Sequence, residues 1–206
     1  MKKNNLKYWT NELSNVEDII LRCFFPEGEE ITIQLIKKRS GYSYERVYNS
    51  LKMLVKRKLI SEKYIGKTLV YTLDFNNSYS KLAFSHYMVE RIITFSNKHF
   101  IVSKALKKLE TTLGMVIVFG SYSKGKETKS SDIDLIIVSD SQDIKKTIQG
   151  LIYEYGLNIS GIYIPNKEFT KIQIENKELW ADLKQNALVF NGIDWFYFWM
   201  YNNERL

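Results

Sequence analysis

The sequence predicts an α+β protein with two domains, residues 1–77 and residues 78–206. Three observations predict this organisation. Helical periodicity followed by a hairpin pattern fills the first part of the chain, two buried-strand patterns flank a polar loop in the second part, and the polar stretch NNS at 76–78 separates them. With 206 residues and 45% hydrophobic content, the chain is long enough to fill two small cores.

The N-terminal domain is predicted to begin with a helix. Apolar residues recur at helical spacing from Leu6 to Phe25, and Pro26 and Gly28 then interrupt the pattern. The single cysteine, Cys23, lies in the apolar run DIILRCFF, which favours core packing and leaves no internal disulfide.

Two further helices and a β-hairpin are predicted after this break. Thr32 is a suitable N-cap for a short helix that stops at Gly41, and Ser43 is a suitable N-cap for a helix of about four turns. The runs ISEKYI and TLVYTL are rich in β-branched and aromatic residues and are joined by Gly66-Lys67. This pattern predicts a two-stranded hairpin.

Basic residues are concentrated in this part of the chain. The whole protein carries a net charge of +7, and ten basic residues against two acidic ones lie between Lys37 and Lys67. Such a patch is the expected electrostatic footprint of binding to a phosphate backbone, although basic surfaces also serve ordinary solubility.

The order helix, short helix, turn, helix and two-stranded wing, over about residues 10–75, resembles the winged helix-turn-helix family. The segment SGYSYERVYNSLKMLVKRKLI is similar to that family's turn and recognition helix, and Lys58 is a departure because the family often has glycine there. The resemblance implies that the exposed side of the third helix enters the major groove of double-stranded DNA. The residues presented to the groove would be Tyr42, Ser43, Tyr44, Arg46, Asn49 and Ser50. Phosphate contacts would come from Lys52, Lys56, Lys63 and Lys67. The alternative is a winged helix used for protein contacts.

The second domain is predicted to open with helix and to continue as a small sheet. Apolar residues repeat at helical spacing over residues 80–113, which indicates one long helix or two in series, ended by Gly114. MVIVF and DLIIVS have the pattern of buried strands, and QDIKKTIQGLIYEYG and ISGIYI have the pattern of a helix and a third strand. A helical tail is expected to complete the domain.

The loop between the first two strands carries a candidate metal and nucleotide site. Gly120 and Ser121 are small enough to let backbone amides and a hydroxyl approach an anionic group. Asp132 and Asp134 share one face of the second strand because strand side chains alternate. Two such carboxylates repel each other unless a cation lies between them, and Mg²⁺ prefers oxygen ligands that it shares with substrate phosphates. The sequence therefore predicts an Mg²⁺ site that takes a nucleoside triphosphate.

These residues resemble the nucleotidyltransferase superfamily that includes DNA polymerase β, especially its minimal prokaryotic members. The family motif is an apolar strand, Gly-Ser, three residues, Gly, and a spacer that ends in Ser-Asp-x-Asp. The matching residues are Gly120, Ser121, Gly125, Ser131, Asp132, Asp134 and Leu135. The match is tight over about 25 residues and looser from Leu82 to the end of the sequence.

The resemblance implies transfer of a nucleoside monophosphate from an NTP, with ATP the first choice, and release of pyrophosphate. Asp132 and Asp134 would be the catalytic metal ligands. The residues that would bind the nucleotide are Gly120, Ser121, Gly125 and Ser131. Loop lysines would either neutralise developing charge or remain solvated. They are Lys124, Lys126 and Lys129.

One position departs from the pattern. Active members carry a third carboxylate on the next strand, where this chain reads NISGIYIP. The residues that would alternate toward the site are Asn158, Ser160 and Ile162, and none is a carboxylate. Glu154 and Glu168 flank the strand and would need unusual geometry to replace it. An altered transferase and a nucleotide-binding remnant therefore both stay open.

The remaining features concern partners and location. The aromatic run Trp195–Tyr201 favours closing the core of the second domain, with a homodimer surface or a membrane anchor as alternatives, although it is too short to span a bilayer. No apolar run approaches the roughly 20 residues of a spanning helix, so a cytoplasmic protein is expected. HEPN-type ribonucleases accompany some minimal transferases and have an Arg and a His with about four to six residues between them. Seven residues lie between Arg91 and His99, so a HEPN-type protein is a candidate partner rather than part of this chain.

Overall fold

The computed structural model describes residues 13–109, 114–141 and 143–202. It is of mixed α+β type, with helices and two separate sheets. The chain divides into two compact units between Ala83 and Phe84. This division falls inside a helix and beyond the predicted linker at 76–78, so the assignment of residues 1–77 and 78–206 as independent domains stays a prediction.

The N-terminal unit consists of helices packed beside a small antiparallel sheet. Its elements are α1 (Asn15–Arg22), β1 (Ile31–Thr32), α2 (Ile33–Ser40), α3 (Tyr44–Lys56), β2 (Ile60–Ile65) and β3 (Thr68–Leu73). Its sheet has the strand order β1-β3-β2, and β2 and β3 form the predicted hairpin around Gly66.

Local hydrogen bonds explain where these helices begin and end. The Thr32 hydroxyl accepts a bond from the Leu35 amide at 3.3 Å, and the Ser43 hydroxyl accepts one from the Arg46 amide at 3.4 Å. Gly41, at φ +71°, ends α2 in the left-handed conformation that glycine adopts most easily. The predicted caps and stop of α2 and α3 are therefore confirmed.

Two differences from expectation occur in this unit. The helix predicted for Leu6–Phe25 ends at Arg22, where the chain enters a turn, and its residues 6–12 lie outside the described residues. The two-residue strand β1 was not predicted, because so short a segment has no periodicity of its own. The core of the unit includes Ile20, Phe24, Ile36, Val47, Leu51 and Leu54, all fully buried.

The C-terminal unit is built around a four-stranded mixed sheet. A long helix, α4 (Ser78–Lys98), leads into it. The elements that follow are α5 (Phe100–Lys107), β4 (Met115–Phe119), α6 (Gly120–Ser123), β5 (Ile133–Val138), α7 (Ile144–Tyr155), β6 (Ile159–Ile164), a 3₁₀ turn (Asn166–Glu168), α8 (Lys171–Glu175), α9 (Lys177–Asn186), β7 (Leu188–Asn191), α10 (Ile193–Tyr197) and a π-helical turn (Phe198–Asn202). The strand order is β6-β5-β4-β7. Strands β5 and β6 run parallel, and β4 is antiparallel to both β5 and β7.

The two faces of this sheet are covered by different helices. Alternate residues of β5, among them Ile133 and Leu135, join a core with side chains of α5 and α7. The opposite face of the sheet meets α9 and α10, which lie against β4. Asp134 lies between Ile133 and Leu135 in sequence, so its side chain points away from the α5 and α7 side.

The end of the described chain differs from the expected helical tail. Strand β7 interrupts it and pairs with β4, so the tail contributes an edge strand to the sheet. Within Trp195–Tyr201, four side chains are buried while Trp195 and Phe198 are exposed, which agrees with closing the core. Phe84 contacts three of the aromatic rings, with centroid separations of 5.4–6.1 Å. None of the helices in the described ranges has the length and hydropathy needed to cross a membrane.

Candidate nucleotide and metal site

The candidate site lies where β4 ends beside the start of β5. These strands are antiparallel, and Phe119 at the end of β4 pairs with Asp134 near the start of β5. Gly120 therefore emerges directly next to the Asp134 carboxylate, although the two residues are separated by a long polar loop. The strand pairing, together with the intervening turn α6, brings the two halves of the sequence motif together.

Gly120 packs against Asp134 so closely that only glycine fits. A Cβ atom on Gly120 would lie 2.1 Å from Asp134 Oδ2 and 3.0 Å from its Cγ. The backbone at Gly120 also has φ +70°, which L side chains rarely adopt. The loop backbone thus forms one wall of the space around the Asp134 carboxyl group.

The two aspartates have different environments. Partial burial raises the pKa of Asp134, and the negative charge of Asp132 raises it further. Asp132 is exposed, and one of its carboxylate oxygens accepts a hydrogen bond from the Asn158 side-chain amide. A divalent cation bound between the two carboxylates would offset their mutual repulsion.

The residues beside the two aspartates on the neighbouring strand are Ser160 and, just before that strand, Asn158. Asp134 is in register with Ser160 on β6, and the Ile133 amide donates to the Asn158 carbonyl oxygen at 2.8 Å. The described residues contain no group of three or more His, Cys, Asp or Glu side chains placed to hold a metal ion.

The two flanking glutamates do not replace the missing ligand. Glu154 forms an ion pair with Lys108 at 2.6 Å, which lowers its pKa. Glu168 follows the end of β6, and because β5 and β6 are parallel, it lies at the opposite end of the strands from Asp132. Among the described residues, the donor set at the candidate site is therefore the carboxylates of Asp132 and Asp134. This set fits Mg²⁺, which commonly uses one or two carboxylates together with substrate phosphates.

The remaining predicted nucleotide-binding residues shape the loop between β4 and β5. Ser121 is half-buried in α6, and its carbonyl oxygen accepts a hydrogen bond from the Lys126 amide at 3.0 Å. Gly125 is exposed at φ +66°. The Ser131 hydroxyl accepts a bond from the Thr128 amide at 2.9 Å and so closes the turn that leads into Asp132.

One loop lysine has a partner that the sequence does not reveal. Lys124 forms an ion pair with Asp182 of α9 at 2.8 Å, whereas Lys126 and Lys129 are exposed. This ion pair connects the loop to the C-terminal helices. Lys126 and Lys129 are the loop lysines that would either neutralise developing charge or remain solvated.

A second group of residues beside the loop was missed by sequence reasoning. His99 and Lys98, at the end of α4, both contact the same carboxylate oxygen of Glu127, with the His99 Nε2 atom 3.4 Å away. The His99 ring lies 5.1 Å from the Tyr122 ring and 4.7 Å from the Phe95 ring. These residues are scattered in sequence, so no spacing pattern could have grouped them.

The predicted DNA-binding residues lie on and around α3. Most of them are exposed, whereas Tyr42 and Ser50 are half-buried. The exposed residues are Ser43, which caps the helix, Tyr44, Arg46, Asn49, Lys52, Lys56, Lys63 and Lys67. Sequence reasoning missed Tyr48, which stacks with Tyr44 at 6.1 Å and has the Lys52 ammonium 4.6 Å from its ring centre. The aromatic spacing of four residues on one helix was the available signal. Lys63 forms an ion pair with Glu30 at 2.9 Å, so a phosphate contact by Lys63 would have to compete with that carboxylate.

Comparisons with known proteins found similarity in the second part of the chain. Residues 101–190 match the family model described as "Nucleotidyltransferase domain". A protein of Methanocaldococcus jannaschii named "Putative protein adenylyltransferase" is 27% identical over 78 residues, which cover 34% of this chain and 53% of the relative. The chain thus spans about half the length of the curated relative that it matches. No solved structure matches the chain.

Proposed function

Because residues 101–190 match a nucleotidyltransferase domain, we propose that this protein is an Mg²⁺-dependent nucleotidyltransferase joined to a DNA-binding winged helix. It would transfer a nucleoside monophosphate from an NTP, with ATP the first choice. The contact between Gly120 and the Asp134 carboxyl group carries the proposal, because it brings the backbone of the loop directly beside one of the two carboxylates. The name of the distant relative makes proteins the first class of acceptor to test.

Each residue of the site has a distinct part in this proposal. Asp132 and Asp134 would hold Mg²⁺ jointly with phosphate oxygens, and the ion would offset the charge of the phosphates. Gly120 and Ser121 would present backbone amides and a hydroxyl to the phosphates. Ser131, bonded to the Thr128 amide, would keep the approach to Asp132 in one conformation.

The DNA-binding part of the proposal rests on the N-terminal unit. Its order of helices and strands agrees with a winged helix, and Tyr44, Arg46 and Lys52 lie exposed on α3. The Arg46 guanidinium carbon is 4.3 Å from the centre of the Tyr42 ring, and this contact limits the freedom of a side chain expected at the DNA surface. Basic residues of α3 and the hairpin would supply the phosphate contacts.

A nucleotide-binding regulator without catalysis is the second candidate function. The observation that favours it is the pairing of Asp134 with Ser160, together with Asn158 beside Asp132, where active relatives carry a carboxylate. Neither an amide nor a neutral hydroxyl is an effective base for activating an acceptor hydroxyl. Nucleotide would then bind with metal, and no monophosphate would be transferred.

Transfer of label from ATP tests the proposal directly. The protein would be incubated with Mg²⁺, ATP labelled at the α-phosphate, and candidate protein and RNA acceptors, including a HEPN-type protein and a second copy of the chain. The double variant Asp132→Asn with Asp134→Asn removes the site, and Asp143→Asn is the matched control because Asp143 is exposed at the start of α7. Label transferred by the wild type and the control alone would support the proposal. Transfer that survives in the double variant would place the chemistry elsewhere, and metal-dependent binding without transfer would favour the regulator.

A further inference from the structure

Several tyrosines of the N-terminal unit lie close together on α3 and on the β2–β3 hairpin. Tyr44 and Tyr48 are about one turn apart on α3, and their rings stack with centroids 6.1 Å apart and planes inclined by 10°. On the hairpin, Glu62 pairs with Tyr71 across the two strands, so their side chains share one face. Tyr64 lies two residues after Glu62 and therefore points to the same face.

Tyr71 connects the tyrosines of the helix with those of the hairpin. It is buried, and burial raises its pKa to about 12, with further contributions from Glu62, Tyr44, Tyr48 and Tyr64. Electrostatic contributions of this kind weaken with distance, so these side chains surround one place on the unit. We call Tyr44, Tyr48, Tyr64 and Tyr71 the tyrosine cluster.

Two rings of the tyrosine cluster are open to solvent. Tyr64 is 72% exposed, and Tyr44 is 50% exposed even though it stacks on Tyr48. An aromatic ring gains free energy when its flat apolar surface is covered, above all by another ring. Every nucleobase has such a flat face, and stacking on aromatic side chains is how proteins hold unpaired bases.

The charges around the tyrosine cluster separate a place for bases from places for phosphates. The exposed Glu62 carboxylate lies within the cluster and would repel a phosphate group there. Cations are present beside it, because the Lys52 ammonium is 4.6 Å from the Tyr48 ring centre and Lys67 is exposed in the turn of the hairpin. This arrangement fits a chain whose bases lie on the rings and whose phosphates lie toward the lysines.

A duplex does not present its bases in this way. Neighbouring base pairs cover both faces of each base in a duplex, and the grooves show only the edges of the bases. A tyrosine ring can stack on a base only when that base has left the duplex stack. The exposed rings of the cluster therefore favour a strand whose bases are unpaired.

We propose that the tyrosine cluster binds single-stranded nucleic acid, with unpaired bases stacked on Tyr44 and Tyr64. This inference goes beyond the proposed function, which concerns duplex DNA, and either form of binding can hold without the other. Single-stranded DNA and single-stranded RNA share the required chemistry, namely free base faces and a phosphate backbone.

Fluorescence anisotropy of the full chain with labelled oligonucleotides of about 16 nucleotides tests the inference. The probes are a DNA strand and an RNA strand of one sequence that cannot pair with itself, an abasic DNA strand of the same length, and the duplex form of the DNA. The abasic strand keeps the phosphates without the bases, so the wild type should bind it more weakly than the intact strands. Tight binding of either intact strand supports the inference, and their relative affinities identify DNA or RNA as the ligand.

Substitutions at Tyr64 separate stacking from other roles of this residue. Tyr64→Ala removes one stacking surface and should weaken binding of the intact strands about 5- to 150-fold, with no change for the abasic strand. Tyr64→Phe keeps the ring and should bind as the wild type does. Tyr153→Ala is the matched control, because Tyr153 is 93% exposed on α7 of the other unit, and should leave every affinity unchanged.

Three results would overturn the inference. They are equal affinity of the wild type for abasic and intact strands, an equal loss in Tyr64→Ala and Tyr64→Phe, and a loss of duplex affinity in Tyr64→Ala as large as the loss for single strands. Binding of the duplex alone would also overturn it and leave the proposed function intact. Binding of single strands alone would support the inference and contradict duplex recognition.

Discussion

Replacing Gly120 with alanine tests how the loop after β4 packs against strand β5. The new Cβ would lie 2.1 Å from Asp134 Oδ2, and the three nearest atoms all belong to the Asp134 side chain. The substitution must therefore displace this carboxyl group or the loop itself. It also places an L side chain at φ +70°.

The size of the effect can be separated into two parts. Gly156 has a similar backbone conformation, φ +61°, in the same unit, but nothing lies within 4 Å of a Cβ built there. Gly156→Ala should then show the backbone cost alone, about 1–2 kcal/mol. For a protein of this size that corresponds to a decrease in Tm of about 2–8 °C. Gly120→Ala should lower the Tm by more than this, and the difference reports the contact with Asp134.

Thermal unfolding followed by circular dichroism, with and without Mg²⁺ and ATP, measures both parts. Combining Gly120→Ala with Asp134→Ala removes the opposing side chain, so the double variant should be more stable than the sum of the two single effects predicts. In Gly120→Ala the rise in Tm caused by Mg²⁺ and ATP should be lost, whereas Gly156→Ala should retain it. Equal destabilisation by the two alanine substitutions, with no coupling to position 134, would refute the close packing.

Three further predictions follow from charge and chain organisation. Because its folded pKa is raised, Asp134 favours the folded state below the ordinary pKa of aspartate and loses this contribution as pH rises through the folded pKa. Asp134→Asn should therefore stabilise the metal-free protein near pH 7 but not in acid. A series of denaturation measurements across pH would show no such trend if the pKa of this carboxyl group were unperturbed. Arg46→Ala should weaken binding to duplex DNA, whereas Lys146→Ala should have no effect. The affinity for the duplex should fall with salt, with a slope of about −0.9 in log K against log salt for each phosphate contact. Absence of duplex binding at low salt would contradict DNA recognition. Limited proteolysis near Asn76-Asn77 should release two folded fragments, and fragments without circular dichroism of folded protein would show that the units depend on each other.

Local chemistry allowed several elements of the fold to be predicted from the sequence. Thr32 and Ser43 cap their helices through hydrogen bonds to residues three positions on, so the information is contained in four residues. The strands on either side of the loop were predicted because they are buried and nearly continuous in apolar character. Period-two alternation also identified Asn158 and Ser160 as the residues that lie beside the two aspartates.

What the sequence did not reveal depends on contacts between distant residues. Strand β7 has four residues, too few for a periodic pattern, and it exists because β4 offers an edge for pairing. A cavity beside the loop that follows β4 is lined by His99, Tyr122 and Leu188, which come from separate elements. The pairing of Lys124 with Asp182 likewise depends on where α9 lies. Each of these requires the tertiary structure, because no local propensity specifies them.

The pairing of β4 with β7 has a consequence for synthesis of the chain on the ribosome. Val116 pairs with Asn191, so one edge of the strand that leads into Gly120 has no partner until much of the chain has been translated. Until then β4 can pair on one side with β5, while its other edge remains open to other strands. Pairing across such a sequence separation is slow compared with local helix formation. The N-terminal unit can therefore fold during translation while the sheet that carries the candidate site is still incomplete. Under the proposed function, a nascent or truncated chain would bind DNA before it binds nucleotide.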